Sequence, residues 1–123
     1  MNFSMPWFEI PVADIERAAK FYATLFQQEF KIMEAMGMKT AFLPIDHQKE
    51  GSGGSLTQGE AYQPGSGGTI IYLQVSNSLE EALGRVKDAG GQTLLPAIKI
   101  PDGYMAHFED SEGNRMGLYS KDA

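Results

Sequence analysis

The chain alternates between two rhythms of apolar residues, and the pair of rhythms occurs twice. WFEIPV, residues 7–12, is a short apolar run broken by one carboxylate, Glu9, and reads as a strand. Asp14 is placed to cap a helix, because its side chain can accept from the first free backbone N–H groups. Ile15, Ala18, Tyr22, Leu25 and Phe26 then follow at steps of three or four and form one apolar stripe. Phe30–Ala35 and Met38–Ile45 are predicted as two strands around a turn at Gly37. DHQKEGSGG, residues 46–54, is polar and glycine-rich and reads as a loop, followed by a short strand at residues 55–59. EAYQPGSGG, residues 60–68, reads as a second loop and as the hinge between two halves.

The second half restarts the pattern. TIIYLQV, residues 69–75, has the β-branched and aromatic content of a strand. Ser78 and Glu81 form the S-x-x-E signature of a helix start. Leu79, Ala82, Leu83, Val86 and Ala89 give the stripe, and Gly90-Gly91 ends it. Residues 92–100, Tyr104–Glu109 and Arg115–Ser120 read as strands, separated by turns at Pro101-Asp102-Gly103 and Asp110–Asn114. Ile10, Val12 and Asp14 recur as Leu73, Val75 and Asn77. The simplest account is an α+β fold of two βαβββ modules in tandem, about residues 5–60 and 69–121, within a single domain spanning 1–123. Each helix covers one face of its sheet and leaves the other open. Pairing the open faces into a curved mixed sheet encloses a cleft where a small molecule can bind.

Composition narrows the function classes. With 123 residues the chain is sized for one domain with a real core. Sixteen acidic against ten basic residues give a net charge of −6, with no basic stripe for nucleic acid. There is no cysteine, which excludes disulfides, thiolate chemistry and sulfur-bound zinc. No apolar run reaches the ~20 residues of a membrane span, and the N-terminus lacks the pattern of a signal peptide. A cytoplasmic protein with no membrane partner is the expectation.

Three motifs carry a resemblance. They are V-x-D-x-x-x-A-x-x-F-Y (Val12, Asp14, Ala18, Phe21, Tyr22), the pair Gly90-Gly91, and F-x-D-x-x-G-N over Phe108–Asn114. The set resembles the vicinal-oxygen-chelate superfamily, which includes glyoxalase I, bleomycin-resistance proteins and extradiol dioxygenases. WFEIPV, the stretch at 53–64 and EGNRMGLYS resemble a bacterial group of glyoxalase-related proteins. The resemblance implies four strand positions that supply His, Gln or Glu to a divalent metal. Here they fall on Trp7, Ile70, Gly117 and a position within Gly54–Leu56, none with an ionisable side chain. The expectation is that this metal site is lost and no cofactor is needed. The remaining metal reading relocates the ligands to Glu9, His107 and Glu109.

Strand alternation extends that placement, since positions two apart share a face. Glu9 and Pro11 go with Trp7, Tyr72 and Gln74 with Ile70, and Arg115 and Tyr119 with Gly117, while Met105, His107 and Glu109 take the open face of their strand. The candidate site is a polar cluster of Glu9, Tyr72, Gln74, His107 and Tyr119 among Trp7, Phe42 and Met105. Glu9 and His107 can serve as a base and an acid, and Tyr72 as a donor to developing negative charge. The plainer reading is that Glu9 and His107 are solvated residues on a wet sheet face. His47 lies in the polar loop and reads as exposed, and the glycines match no phosphate-binding loop. Four functions follow: a small-molecule binding protein, a metal-independent proton-transfer or lyase-type enzyme, a metal lyase with relocated ligands, and a purely structural partner. A homodimer is expected, since a small sheet with an open face gains from covering it.

Overall fold

A computed structural model describes residues 5–44 and 52–123. The elements run β1 (Trp7–Pro11), α1 (Ile15–Phe26), β2 (Ile32–Ala35), β3 (Met38–Phe42), β4 (Gly53–Gln58), β5 (Tyr72–Gln74), α2 (Leu79–Asp88), β6 (Gln92–Ile100), β7 (Gly103–Glu109) and β8 (Arg115–Ser120). They form two four-stranded sheets of the same topology, β1-β4-β3-β2 and β5-β8-β7-β6. In each, the first strand pairs parallel to the last and the others pair antiparallel. This is the expected α+β fold of two βαβββ modules.

Local chemistry explains the helix boundaries. The Asp14 side chain accepts from the Arg17 N–H, and the Ser78 hydroxyl accepts from the Glu81 N–H, so both helices start on the predicted caps. Arg85 of α2 donates from Nε to the Leu25 carbonyl at the end of α1, at 2.8 Å, placing a cation at a helix C-terminus. Met36 and Gly37 both take positive φ, the requirement of a two-residue hairpin loop between β2 and β3.

The core lies between each helix and its sheet. Ile15, Ala18, Tyr22 and Leu25 of α1 pack with Ile10, Ala41 and Leu56 from β1, β3 and β4. Leu79, Ala82 and Val86 of α2 pack with Ala106, Phe108 and Leu118 from β7 and β8. α1 also contacts α2, and Phe21 stacks on Phe108 with centroids 6.0 Å apart, so the two cores are continuous.

Several strand ends differ from expectation. The strand predicted at residues 30–35 starts at Ile32, and the next ends at Phe42 rather than Ile45. The strand predicted at 69–75 keeps only Tyr72–Gln74, the residues with β8 partners in register. β4 begins at Gly53, inside the stretch read as a loop, and is a central strand between β1 and β3. Gly54 pairs with Phe8, whose ring lies across it and occupies the place of a Cβ. Glycine there makes room for an aromatic ring, a reason invisible in local composition. His47 and most of its loop lie outside the described residues.

Polar groups lock the seam between the modules. The Asp110 carboxylate accepts from the Tyr22 hydroxyl at 2.7 Å and from the backbone N–H groups of Glu112 and Asn114. Asn114 donates from Nδ2 to the Pro11 carbonyl at 2.8 Å. Glu112 accepts from the backbone N–H groups of Ala13 and Asp14 and pairs with Arg17 at 2.7 Å. Burial pushes the Asp110 carboxyl up from its ordinary range, and its hydrogen bonds offset only part of that rise. Burial acts the same way on Glu112, but the Arg17 bond and the backbone donors outweigh it and hold the carboxyl low.

Candidate functional site

Alternation along β1 separates Ile10, buried against α1, from its neighbour Glu9, which is exposed on the opposite face. Trp7 shares that open face, and its ring meets Phe42 of β3 edge-on at 5.9 Å. Ser55 and Thr57 lie between them on β4, buried, with their hydroxyls joined at 2.9 Å. Glu9 accepts from the Tyr62 hydroxyl at 2.8 Å. That bond to Glu9 pushes the Tyr62 hydroxyl pKa above its ordinary value.

The second sheet carries a denser group. Tyr72 pairs in register with Gly117, and Gly117 with His107. The Tyr72 ring lies over Gly117, where an added Cβ would come within 2.5 Å of it. With that space open, the Tyr72 hydroxyl reaches His107 Nε2 at 2.5 Å. On the other side of the imidazole, Arg115 donates from Nε to Nδ1 at 2.9 Å. Met105, opposite Tyr119, and Leu95 and Ile98 of β6 continue the face. Gln74 pairs with Tyr119, whose hydroxyl donates to the Asp102 carbonyl at 2.5 Å.

The hydrogen bonds define the state of His107. A guanidinium only donates, so Nδ1 is the bare acceptor nitrogen. A neutral imidazole then carries its proton on Nε2 and donates it to the Tyr72 oxygen. Burial first, and the Arg115 charge second, hold the His107 pKa below its ordinary value and favour this neutral form. The Tyr72 proton has no acceptor among the described residues and is directed to whatever approaches the ring. The result is a relay, Arg115 to His107 to Tyr72, ending in an available O–H donor.

The structure does not join Glu9 to His107. Glu9 engages Tyr62, and both nitrogens of His107 are taken by Tyr72 and Arg115. Glu9 and Arg115 instead line a pocket of about 270 Å³ at the seam, under the segment linking the modules. A second pocket, about 400 Å³, runs along the unpaired edge of β5 and is walled by Phe8, Phe26, Phe30 and Leu43. Tyr72 and Gln74 border this one. Two partners in these contacts, Tyr62 and Arg115, were not among the sequence candidates. The face parity of β8 was the one signal that pointed toward Arg115.

The metal implied by the fold does not fit these residues. Trp7 and Gly117 offer no donor, Ile70 has none, and the Ser55 hydroxyl is spent on Thr57. A carboxylate at position 117 would have to displace the Tyr72 ring. Among the described residues no three His, Asp or Glu side chains converge. In the relocated set, a guanidinium faces one nitrogen of His107, and Glu109 accepts from Gln92.

Comparisons with known proteins agree with the architecture. Residues 5–41 match the family described as bleomycin resistance protein-like N-terminal. A protein of S. aureus described as hypothetical is 25% identical, with a TM-score of 0.64 over 98% of this chain and 94% of that one. The fosfomycin resistance protein FosX from Listeria monocytogenes is 18% identical, with a TM-score of 0.67 over 98% and 94%. The antibiotic binding protein TnmS3 from a Streptomyces species is 22% identical, with a TM-score of 0.62 over 98% of both chains. No curated protein gives a significant sequence match. The family match covers the first module alone, and the solved structures share the tandem fold; together they support a likeness to the vicinal-oxygen-chelate superfamily.

Proposed function

We propose that this protein binds a small organic molecule beside Tyr72 without the help of a divalent metal. The observation that carries this reading is the Arg115–His107–Tyr72 relay, which leaves one uncommitted hydroxyl proton on a residue that borders a pocket walled by Phe8, Phe26, Phe30 and Leu43. Few polar groups converging on an apolar wall are the usual makings of a ligand site. Solved proteins of this fold described as antibiotic binding and fosfomycin resistance proteins supply the first panel to test. In a thermal-shift screen of antibiotics and small aromatic carbonyl compounds, a ligand that prefers the native state raises the melting point. Tyr72→Phe removes the donor and is expected to weaken the hit about tenfold, the worth of one good hydrogen bond. A hit that keeps its affinity in both Tyr72→Phe and Gln74→Ala sinks the assignment.

A second reading, proton-transfer chemistry, is favoured by the same hydroxyl. Tyr72 rather than His107 is then the acid, and the Nε2 proton of His107 stabilises the phenolate left behind. Glu9 is the available base, but it stands on the other sheet. The open faces carry exposed Trp7 and Phe42 on one sheet and Tyr72 and Ile98 on the other. We propose that a second copy covers these faces, bringing Glu9 of one chain to Tyr72 of its partner. Sedimentation of the purified protein tests this: a monomer at micromolar concentration refutes it, and a dimer lost in Trp7→Glu supports it.

A further inference from the structure

The linker between the modules is tied down at two places. Tyr62 donates to Glu9 of the first module, and the Gly65 N–H donates to Asn114 Oδ1 of the second at 2.9 Å. Asn114 is itself fixed by its bond to the Pro11 carbonyl and by Asp110. The stretch read as a hinge therefore forms a roof over the seam. Beneath it is the pocket of about 270 Å³ that Glu9 and Arg115 both line.

Opposite charges sharing so small a space ordinarily close into an ion pair. Here they do not: the single ion pair among the described residues joins Arg17 to Glu112. Each pole is held by its own partner, Glu9 Oε1 by the Tyr62 hydroxyl and Arg115 Nε by His107. This leaves Glu9 Oε2 and the two terminal nitrogens of Arg115 without a partner among the described residues. Ile71, Met116 and Pro11 supply apolar surface between the poles.

We infer that this pocket is a site for a small zwitterion, with its ammonium at Glu9 and its carboxylate at Arg115. The paired terminal nitrogens of a guanidinium match a carboxylate bidentately, and the carboxylate of Glu9 takes an ammonium as a charge-assisted acceptor. A dianion would be repelled by Glu9 and a diamine by Arg115, so the pair selects for both charges in one molecule. The volume, about nine waters at about 30 Å³ each, admits a free α-amino acid with a short apolar side chain with room left for water. Arg115 also serves the relay to Tyr72, so this assignment shares that residue with the function proposed above; Tyr72→Phe, which leaves Glu9 and Arg115 in place, separates the failure of one from the failure of the other.

The test is an NMR titration of the full chain with L-valine, isobutylamine and isovalerate, read at the amides of Gly65, Gly67 and Thr69 and at Arg115 Nε. Valine is expected to give saturable shifts and to bind more tightly than either singly charged relative. Glu9→Gln and Arg115→Gln should each weaken valine about tenfold, the effect of losing one charge-assisted contact. Isovalerate should respond to the Arg115 change alone and isobutylamine to the Glu9 change alone. If Arg115→Gln disturbs β8, the exposed Glu9→Gln variant still carries the test. The assignment is overturned if valine causes no saturable shift at millimolar concentration, binds no better than the singly charged compounds, or is indifferent to Glu9→Gln.

Discussion

Gly117→Ala is the smallest change that interrogates the relay. The new Cβ would lie 2.5 Å from the Tyr72 ring, where carbon contacts settle at about 3.5–4.0 Å. The ring must therefore retreat by about 1 Å or more, which breaks the 2.5 Å bond between its hydroxyl and His107. The expected cost combines about 1 kcal/mol for the lost hydrogen bond with about 1–3 kcal/mol for overpacking, about 2–4 kcal/mol in all. Alanine on a strand is otherwise no worse than glycine, so nothing else opposes the change. A double-mutant cycle with Tyr72→Ala, followed by urea unfolding, isolates the effect. In the Tyr72→Ala background the ring is gone, and Gly117→Ala should cost nearly nothing, leaving a coupling energy of about 2–4 kcal/mol. Equal costs in both backgrounds would refute the claim that glycine is needed there to seat Tyr72.

Tyr22→Phe removes a buried donor to Asp110 and should destabilise the fold by about 1.5–3 kcal/mol, because a buried carboxylate loses a charge-assisted bond. Without that bond the Asp110 pKa, already raised by burial, rises further, so the deficit should be largest at neutral pH and shrink as acid protonates Asp110. Urea midpoints measured from pH 7 down to pH 4 check both statements, and a deficit that grows with acidity contradicts them. His107 has the opposite sign: its folded pKa lies below the unfolded value near 6.5, so its contribution is complete above that pH and is lost as pH falls through it. The wild-type protein should lose stability relative to His107→Gln between about pH 7 and pH 5, and parallel curves in that window would show that the imidazole is not held neutral.

What local sequence determined is the order of elements and their caps. Asp14 and Ser78 compete for nearby backbone N–H groups wherever they sit, and the stripes from Ile15 to Phe26 and from Leu79 to Val86 need only helical geometry to gather on one face. β6 and β8 match their predicted ends at both termini, since Gly91 and the turn at Asp110–Asn114 punctuate them locally. The face of Glu9 was legible for the same reason, because alternation next to the buried Ile10 leaves it no other side. Contacts between distant segments decided the rest. Gly53 and Gly54 read as loop in a glycine-rich stretch, yet become a central strand because Phe8 needs the vacant Cβ space beside it. Thr69 and Ile70 have strand composition but lie outside the ladder with β8, and Thr69 lines the seam pocket instead. The site divides in the same way. Residue types nominated Glu9, Tyr72 and His107, but their partners come from residues 53, 35 and 8 positions away, separations that no periodicity encodes. Which proton His107 carries, and which charges share a pocket, are properties of those tertiary neighbours, because hydrogen bonds and Coulomb forces act through space rather than along the chain.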